Sequence, residues 1–235
     1  QAVEKIKNSK KPIIISGGGV FYSDAMDELG NFAVKHNIPV TQTVMGYSTM
    51  KKDHSHFVGP IGGLGGKAAN NLAKETDLAI CIGTKLADFT TGSWANFENP
   101  EFKLVSINIA RHDANKHLAE AVIGDAKVTL TELSNAIGDW KSSDSWHKKS
   151  QVELKSWNEY VDKESGPTNQ ELPSYAHAVG AIYRNSDPTD IAVTAAGGLV
   201  GEVVQVWRPK ELNTHETEWG FSCMSYEISG ALGIK

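Results

Sequence analysis

Two segments near the carboxyl end of the chain carry residues whose types and spacing could do chemistry. Gly197 and Gly198 follow the strand-like run "DIAVTAA". Open α/β sheets bind ligands at the carboxyl ends of their strands, where backbone N–H groups can face an anion. Met224 lies in a second turn, "FSCMS", ahead of an apolar helix with small residues that is expected to pack closely. A lone methionine is more often core filler than a cofactor contact, so both interpretations stay open.

Two other glycine-rich segments are similar to phosphate-binding loops and depart from them at defining positions. In "SGGGV", Gly17 and Gly19 supply two glycines of a dinucleotide fingerprint, but Tyr22 stands in place of the third. "GPIGGLGGKAANN" lacks the first glycine of a P-loop, and Ala68 stands where a magnesium-binding hydroxyl is needed. We therefore predict a tight turn for the first segment. For the second we predict a loop whose backbone approaches a neighbouring domain or a ligand.

The histidines and cysteines give no strong catalytic signal. His54 and His56 lie two apart in "DHSH", a spacing that binds metal only if further ligands converge from elsewhere. No second cluster is evident, so we predict a solvated loop. The sequence has no G-x-S-x-G elbow, the motif of many serine hydrolases. We expect Cys81, in an apolar run, and Cys223, in the terminal turn, to be buried free thiols in a reducing cytoplasm.

Composition and charge exclude several function classes. Of the 235 residues, 40% are hydrophobic and 22% charged, which is typical of a soluble globular protein. The net charge of −5 and the dispersed lysines argue against a nucleic-acid surface. Apolar runs such as "LAICIG" are much shorter than the roughly 20 residues of a membrane-spanning helix. The sequence thus predicts neither nucleic acid nor membrane as a partner.

The candidate residues must be positioned by alternating strands and helices. From Pro12 to about Ala136, short apolar runs alternate with helical stretches, which predicts an α/β fold with a parallel sheet and helices on both faces. The predicted strands are 12–16, 38–43, 78–83 and 104–109, with a weaker one at 121–124. Helices are predicted between them in "SDAMDELGNFAVKHN" and "GGKAANNLAKET", and after them in "AKVTLTELSNAIGDW".

The second half of the chain indicates a linker and then another α/β unit. Large residues recur there near helical spacing and predict a bridging helix: Trp146, Leu154, Trp157 and Val161. A helix over 174–185, a strand over 190–196, the glycine turn and the helix "GEVVQVWR" follow. We therefore predict three parts: a central α/β domain over 1–140, a linker with a bridging helix over 141–173, and a truncated second α/β unit over 174–235.

Several segments, in this order and spacing, resemble one known family. "KPIIISGGGV", "TDLAICIGTKLADFTTG" and "VIGDAKVTLTEL" are similar to the Rossmann-like central domain of thiamine-diphosphate-dependent enzymes of the acetolactate synthase type. "DIAVTAAGGLVGE" and "GFSCMSYEISGALGIK" resemble the start of the diphosphate-binding domain of that family. The resemblance is greatest to those members that hydrolyse a C–C bond to open a cyclic 1,2-diketone in myo-inositol catabolism.

The resemblance implies a cofactor and a role for four residues. The cofactors would be thiamine diphosphate and Mg²⁺. Gly197 and Gly198 match the turn that faces the diphosphate. Ser222 matches the position whose backbone carbonyl accepts a hydrogen bond from the aminopyrimidine, and Met224 matches the apolar residue that supports the bent cofactor. The physical rationale is that a water-excluding, apolar surround favours the reactive form of such a cofactor.

Four residues depart from the family pattern. Ser225 and Glu227 replace small, glycine-like positions of many relatives, which changes the fine geometry around the cofactor. Asn108 and Ala110 stand where many relatives carry acidic residues after the fourth strand. This second pair lowers the expectation of a flavin or a nucleotide in the central domain.

The resemblance also implies a truncated chain. In the family, the activating glutamate precedes this region and the magnesium ligands follow it, so we expect no catalytic residue, no metal ligand, no bound cofactor and no activity in the 235 residues alone. The intact enzyme is expected to be a cytoplasmic homodimer or homotetramer acting on a small cyclic diketone. Two alternatives stay open. One is a 2-oxo acid decarboxylase or carboligase, of the acetolactate synthase or malonic semialdehyde type, and the other is a non-catalytic nucleotide-binding module on residues 1–140.

Overall fold

The computed structural model describes all 235 residues, which form two sheets with helices around them. The strands are β1 Pro12–Ser16, β2 Val40–Gln42, β3 Phe57–Pro60, β4 Leu78–Ile82, β5 Lys103–Asn108, β6 Glu120–Ile123, β7 Ala192–Thr194 and β8 His215–Thr217. The helices are α1 Ala2–Asn8, α2 Gly18–Tyr22, α3 Met26–His36, α4 Lys67–Glu75, α5 Asp88–Thr91, α6 Arg111–Ala114, α7 Ala126–Ile137, α8 Asp144–Glu164, α9 Tyr175–Asn185, α10 Leu199–Val206 and α11 Tyr226–Ile234. Short 3₁₀ turns cover Val44–Gly46 and Lys116–Leu118.

The first sheet has six parallel strands in the order β3-β2-β1-β4-β5-β6. The chain therefore builds the sheet from β1 to the edge strand β3, and then from β4, on the other side of β1, to the edge strand β6. Helices cover both faces, because successive side chains of a strand point to opposite sides. In β1, Ile14 packs in the cluster with Leu29 of α3 and Leu130 of α7. Ile15 packs on the other side with Leu72 of α4. This confirms the predicted α/β fold.

Most predicted strands of the first sheet are present, and two strands were missed. β1, β4, β5 and β6 lie where the apolar runs predict them, and β2 is shorter than its predicted range. No sequence pattern predicted β3, although all four of its residues are buried, because Gly59 and Pro60 are typical of turns. The three-residue β8 was also missed, because Glu216 interrupts any apolar run.

The bridging helix predicted from the large apolar residues is α8. Ser143 caps its first turn by accepting a hydrogen bond from the Trp146 backbone N–H at 3.3 Å. The indole N–H of Trp146 donates to the Pro12 carbonyl at 2.8 Å, which joins the helix to the start of β1. Near the other end, Val161 packs in the cluster with Val179 and Val203 of the second unit. Neither α8 nor any other helix is both long and apolar enough to span a membrane.

The backbone of the glycine-rich loop between β3 and α4 lies close to neighbouring elements, as predicted. A Cβ on Gly66 would lie 2.6 Å from the indole nitrogen of Trp157 in α8. The Gln205 side chain of α10 donates to the Leu64 carbonyl at 3.4 Å. Gly62 is buried, has φ +107°, and exchanges two hydrogen bonds with the Asn70 side chain at 2.9 and 3.0 Å. The loop thus joins the central sheet to both α8 and α10.

We expect Gly62→Ala to destabilise the chain, because the new Cβ would lie 2.0 Å from the Phe89 carbonyl oxygen in a left-handed backbone conformation. The unfolding free energy should fall by about 2 to 4 kcal/mol. Urea unfolding followed by tryptophan fluorescence measures it. Gly63→Ala is the matched control, because its Cβ would meet nothing closer than 3.8 Å. Equal unfolding midpoints for the two variants would contradict this account of the loop.

Candidate cofactor-binding site

The second sheet brings the two candidate turns to one edge. β7 and β8 are parallel, with Ala192 opposite His215 and Thr194 opposite Thr217. The carboxyl ends of both strands therefore lie at the same edge of the sheet. The pairing continues one residue further, since the Glu218 N–H donates to the Thr194 carbonyl at 3.3 Å. The glycine turn starts three residues after β7, and the methionine turn starts four residues after β8.

The glycine turn presents open backbone. Gly197 has φ +91°, a left-handed conformation that residues with a side chain rarely adopt, and no atom lies within 4 Å of where a Cβ would stand. Gly198 is the N-cap of α10, and no side chain caps that helix. Both glycines are exposed. The N–H groups at a helix start carry partial positive charge, so this turn suits an anionic group such as a phosphate.

The methionine turn is also exposed. Met224 is 83% exposed, and Ser222 and Cys223 are exposed beside it. The interpretation of Met224 as core filler is therefore wrong for this chain. The same observation corrects the expectation for Cys223, because the turn lies at the end of β8 and nothing packs over it. Cys81, in contrast, is fully buried in β4, as predicted.

One residue that sequence reasoning missed organises the methionine turn. The Glu218 carboxylate accepts hydrogen bonds from the backbone N–H groups of Phe221 at 2.6 Å and Cys223 at 2.7 Å. Both hydrogen bonds lower the pKa of Glu218, and the bond from Phe221 makes the larger contribution. A signal exists in the sequence, since an acidic residue just before a Gly- and Ser-rich turn can accept from its amides. That signal is weak without knowledge of the turn.

The helix after the methionine turn packs less closely than the sequence predicts. α11 has no buried residue, and Ile228 and Leu232 are each 71% exposed. Its main attachment is Tyr226, whose hydroxyl lies 3.3 Å from a Glu216 carboxylate oxygen of β8. The helix lies against β7 of the two-stranded sheet, and most of its apolar surface stays uncovered.

Comparison with known proteins decides the family. Residues 1–133, more than half of the chain, match the family described as thiamine pyrophosphate enzyme, central domain. The chain belongs to the thiamine pyrophosphate enzyme family. This confirms the family predicted from the sequence. The matched residues include the whole six-stranded sheet and its helices as far as α7.

Relatives of this thiamine pyrophosphate enzyme chain share one name, 3D-(3,5/4)-trihydroxycyclohexane-1,2-dione hydrolase. The protein of Bacillus anthracis is 38% identical, and the proteins of Clostridium perfringens and Geobacillus thermodenitrificans are each 35% identical. Each match covers 100% of this chain and 40% of the relative. The chain thus spans about 40% of the length of these curated relatives, and it is similar to them over its whole length.

The central domain of this thiamine pyrophosphate enzyme chain packs against β8. His215 is buried, and its ring meets the Tyr47 ring edge-on at 5.3 Å between centroids. Burial lowers the pKa of His215 to about 4, so the imidazole is neutral near pH 7. Burial also raises the pKa of Tyr47, whose hydroxyl has no hydrogen-bond partner. The loop after β2 therefore packs against β8, the strand that precedes the methionine turn.

The first glycine segment of the central domain is a tight turn, as predicted. A Cβ on Gly17 or Gly19 would lie 2.5 Å from the backbone of Gly83, so the loop after β4 fills the space beside the end of β1. The Asn108 side chain donates to the Thr84 carbonyl at 3.1 Å and accepts from the Ala110 N–H at 2.9 Å. The turn is thus packed closely against the loop after β4.

The histidine segment is structural, and the prediction of a solvated loop is wrong for His56. The ring of His56 is buried and stacks on the His147 ring of α8 at 4.2 Å. Its Nε2 lies 3.2 Å from the Asn37 side-chain oxygen. Burial, followed by the charges of His147 and His54, lowers the pKa of His56 to about 4. No group of three or more His, Cys, Asp or Glu side chains in the chain is arranged to hold a metal ion.

We expect the two thiols to differ in reactivity. A disulfide reagent such as DTNB should modify one thiol of the native chain rapidly, because Cys223 is exposed, and a second only after unfolding. Burial keeps Cys81 from the reagent and raises its pKa, which disfavours the reactive thiolate. Cys223→Ser should remove the fast phase, and Cys81→Ser should preserve it. Two fast thiols in the native chain, or none, would contradict the exposure described above.

Proposed function

We propose that this chain forms part of a thiamine-diphosphate-dependent C–C hydrolase that opens trihydroxycyclohexane-1,2-dione in myo-inositol catabolism. The observation that carries the proposal is that the glycine turn and the methionine turn follow the carboxyl ends of two paired parallel strands, β7 and β8. The names of relatives similar over the whole chain support the substrate. The proposal includes Mg²⁺, a cytoplasmic location and a homodimer or homotetramer as the form of the full-length enzyme.

The residues present fit one side of a thiamine diphosphate site. The N–H groups at Gly197 and Gly198 would hold the diphosphate, where no side chain caps α10. The backbone carbonyl of Ser222 would accept from the aminopyrimidine, and the exposed side chain of Met224 would pack against the bent cofactor. When bound, this cofactor supplies a nucleophilic carbon for addition to a ketone. The four residues bind and orient, and Met224 excludes water from one side.

The overall reaction explains why a ring is opened and an acid formed. Hydrolysis of a cyclic 1,2-diketone breaks the bond between the two carbonyl carbons. The oxygen of water becomes the hydroxyl of a new carboxylic acid, and the other carbon takes up hydrogen and becomes an aldehyde. No external oxidant or reductant is needed, since one carbon is oxidised as the other is reduced. We assign the activating glutamate and the magnesium ligands to parts of the full-length enzyme other than this chain.

The test is an assay of the full-length protein with thiamine diphosphate and Mg²⁺. We expect ring opening of the cyclic diketone, measured as acid formed, and no turnover by the 235-residue chain alone. Pyruvate and malonic semialdehyde are the comparison substrates, since their faster decarboxylation would favour the 2-oxo acid alternative and contradict the proposal. Fluorescence titration of the 235-residue chain with NAD, FAD and ADP tests the nucleotide-binding alternative. Micromolar binding would favour that alternative.

We expect Met224→Ala in the full-length enzyme to lower kcat by about tenfold to a hundredfold, because a reacting group misplaced by about 1 Å loses that much rate. The truncated side chain would leave one side of the bent cofactor unsupported. Stopped-flow or steady-state ring opening measures the effect. Leu118→Ala, at a fully exposed position of the central domain, is the control and should leave kcat unchanged. Wild-type kcat in the Met224→Ala enzyme would remove Met224 from the proposed site.

A further inference from the structure

Glu218 is the point where the methionine turn joins the second sheet. Its backbone N–H donates to the Thr194 carbonyl at 3.3 Å, which extends the β7–β8 pairing by one residue. Its two carboxylate oxygens accept from different amides, Oε1 from Phe221 at 2.6 Å and Oε2 from Cys223 at 2.7 Å. One residue thus bonds to the strand that precedes the glycine turn and to the methionine turn itself.

The turn needs such a bond because its backbone is unusual. Ser222 has φ +54° and Ser225 has φ +74°, both in the left-handed region, although neither is glycine. Conformations of this kind are unfavourable for residues with a side chain and persist only where the surroundings impose them. The carboxylate accepts from the residues on either side of Ser222, so it holds the left-handed residue between two charge-assisted bonds.

Little else holds the turn. Phe221 is 90% exposed and Met224 is 83% exposed, so neither anchors the segment by burial. The remaining backbone hydrogen bonds of residues 221–225, from Tyr226 to Cys223 and from Ile228 to Ser225, belong to the start of α11. No side chain other than Glu218 hydrogen-bonds the backbone of the turn. Its shape therefore depends on this carboxylate more than on packing.

We infer that Glu218 is a positioning residue that fixes the methionine turn against the end of the β7–β8 sheet. We call the two hydrogen bonds from the Phe221 and Cys223 amides to the Glu218 carboxylate the clamp. The clamp sets the direction of the Ser222 carbonyl and the position of Met224 relative to the glycine turn. Glu218 itself, with both oxygens on amides, would not touch a ligand. The clamp stands on the geometry alone, and its consequence for thiamine diphosphate rests on the proposed function.

The first experiment measures the clamp in the 235-residue chain. Amide hydrogen exchange of Phe221 and Cys223 is followed by NMR in the wild type, Glu218→Gln and Glu218→Ala. We expect exchange about tenfold faster in the alanine variant, which loses both charge-assisted bonds, and an intermediate rate in the glutamine variant, which keeps one acceptor oxygen. Glu227→Gln is the matched control, because Glu227 makes no hydrogen bond to the turn. Wild-type exchange rates in Glu218→Ala would overturn the inference.

A pH profile separates the carboxylate from general stability. The amide bonds lower the pKa of Glu218 below its ordinary value of 4.5, so the clamp is present above that pH and is lost as pH falls through the lowered value. The titratable groups around it are Glu216 on β8, Tyr226 on α11 and the Cys223 thiol. Exchange corrected for its intrinsic pH dependence should speed up in the wild type as the pH falls through the lowered pKa of Glu218, and stay flat in Glu218→Gln. A flat profile in both proteins would overturn the inference.

The second experiment uses the full-length protein and separates the clamp from the proposed function. Calorimetric titration with thiamine diphosphate in Mg²⁺ should give a Kd about tenfold higher for Glu218→Ala, with the Tm of the cofactor-free protein unchanged. Faster amide exchange with an unchanged Kd would support the clamp and overturn the cofactor role of the methionine turn. An unchanged exchange rate would overturn the clamp, whatever the Kd.

Discussion

The parallel pairing of two three-residue strands is the constraint on which the candidate site depends. β7 and β8 share three residue pairs, and both end at the same edge of their sheet. The glycine turn and the methionine turn are more than 20 residues apart along the chain, and this pairing brings them together. A two-stranded sheet is marginal by itself. It is held here because β8 rests on Tyr47 of the central domain through His215, and because α9 and α10 pack beside it through Val179 and Val203.

The central domain serves the site as a support. Strands β1 to β5 of its parallel sheet are largely buried between helices on both faces and form a platform for the elements that pack on it. The loop between β3 and α4 reaches α10 through Leu64, and α8 packs on both units through Trp146 and Val161. At the end of β1, where related folds bind a nucleotide, the backbone of Gly83 fills the space. The proposed function accordingly assigns cofactor binding to the smaller sheet.

The edge that carries the two turns also exposes several large apolar side chains. Phe221 and Met224 are almost uncovered, and α11 buries no residue. Neighbouring exposed apolar side chains are characteristic of surfaces that bind a ligand or a partner. Under the proposed function, the cofactor would cover the two turns, and the rest of the full-length enzyme would cover α11. Glu218 keeps the turn in shape although nothing packs on it.

The sequence by itself determined the fold class and the family, because both are evident in short stretches of consecutive residues. Apolar runs and helical spacing run unbroken for five or more residues in β1, β4 and α8, and the segments around Gly197 and Met224 are similar to one family in order and spacing. The tertiary structure decided those features that depend on residues distant in the sequence. β3 and β8 are too short to show a period, and they exist because neighbouring strands pair with them. Whether Met224, Cys223 and His56 are buried depends on what packs over them, which no local pattern records. The role of Glu218 likewise follows from a turn whose shape only the folded chain defines.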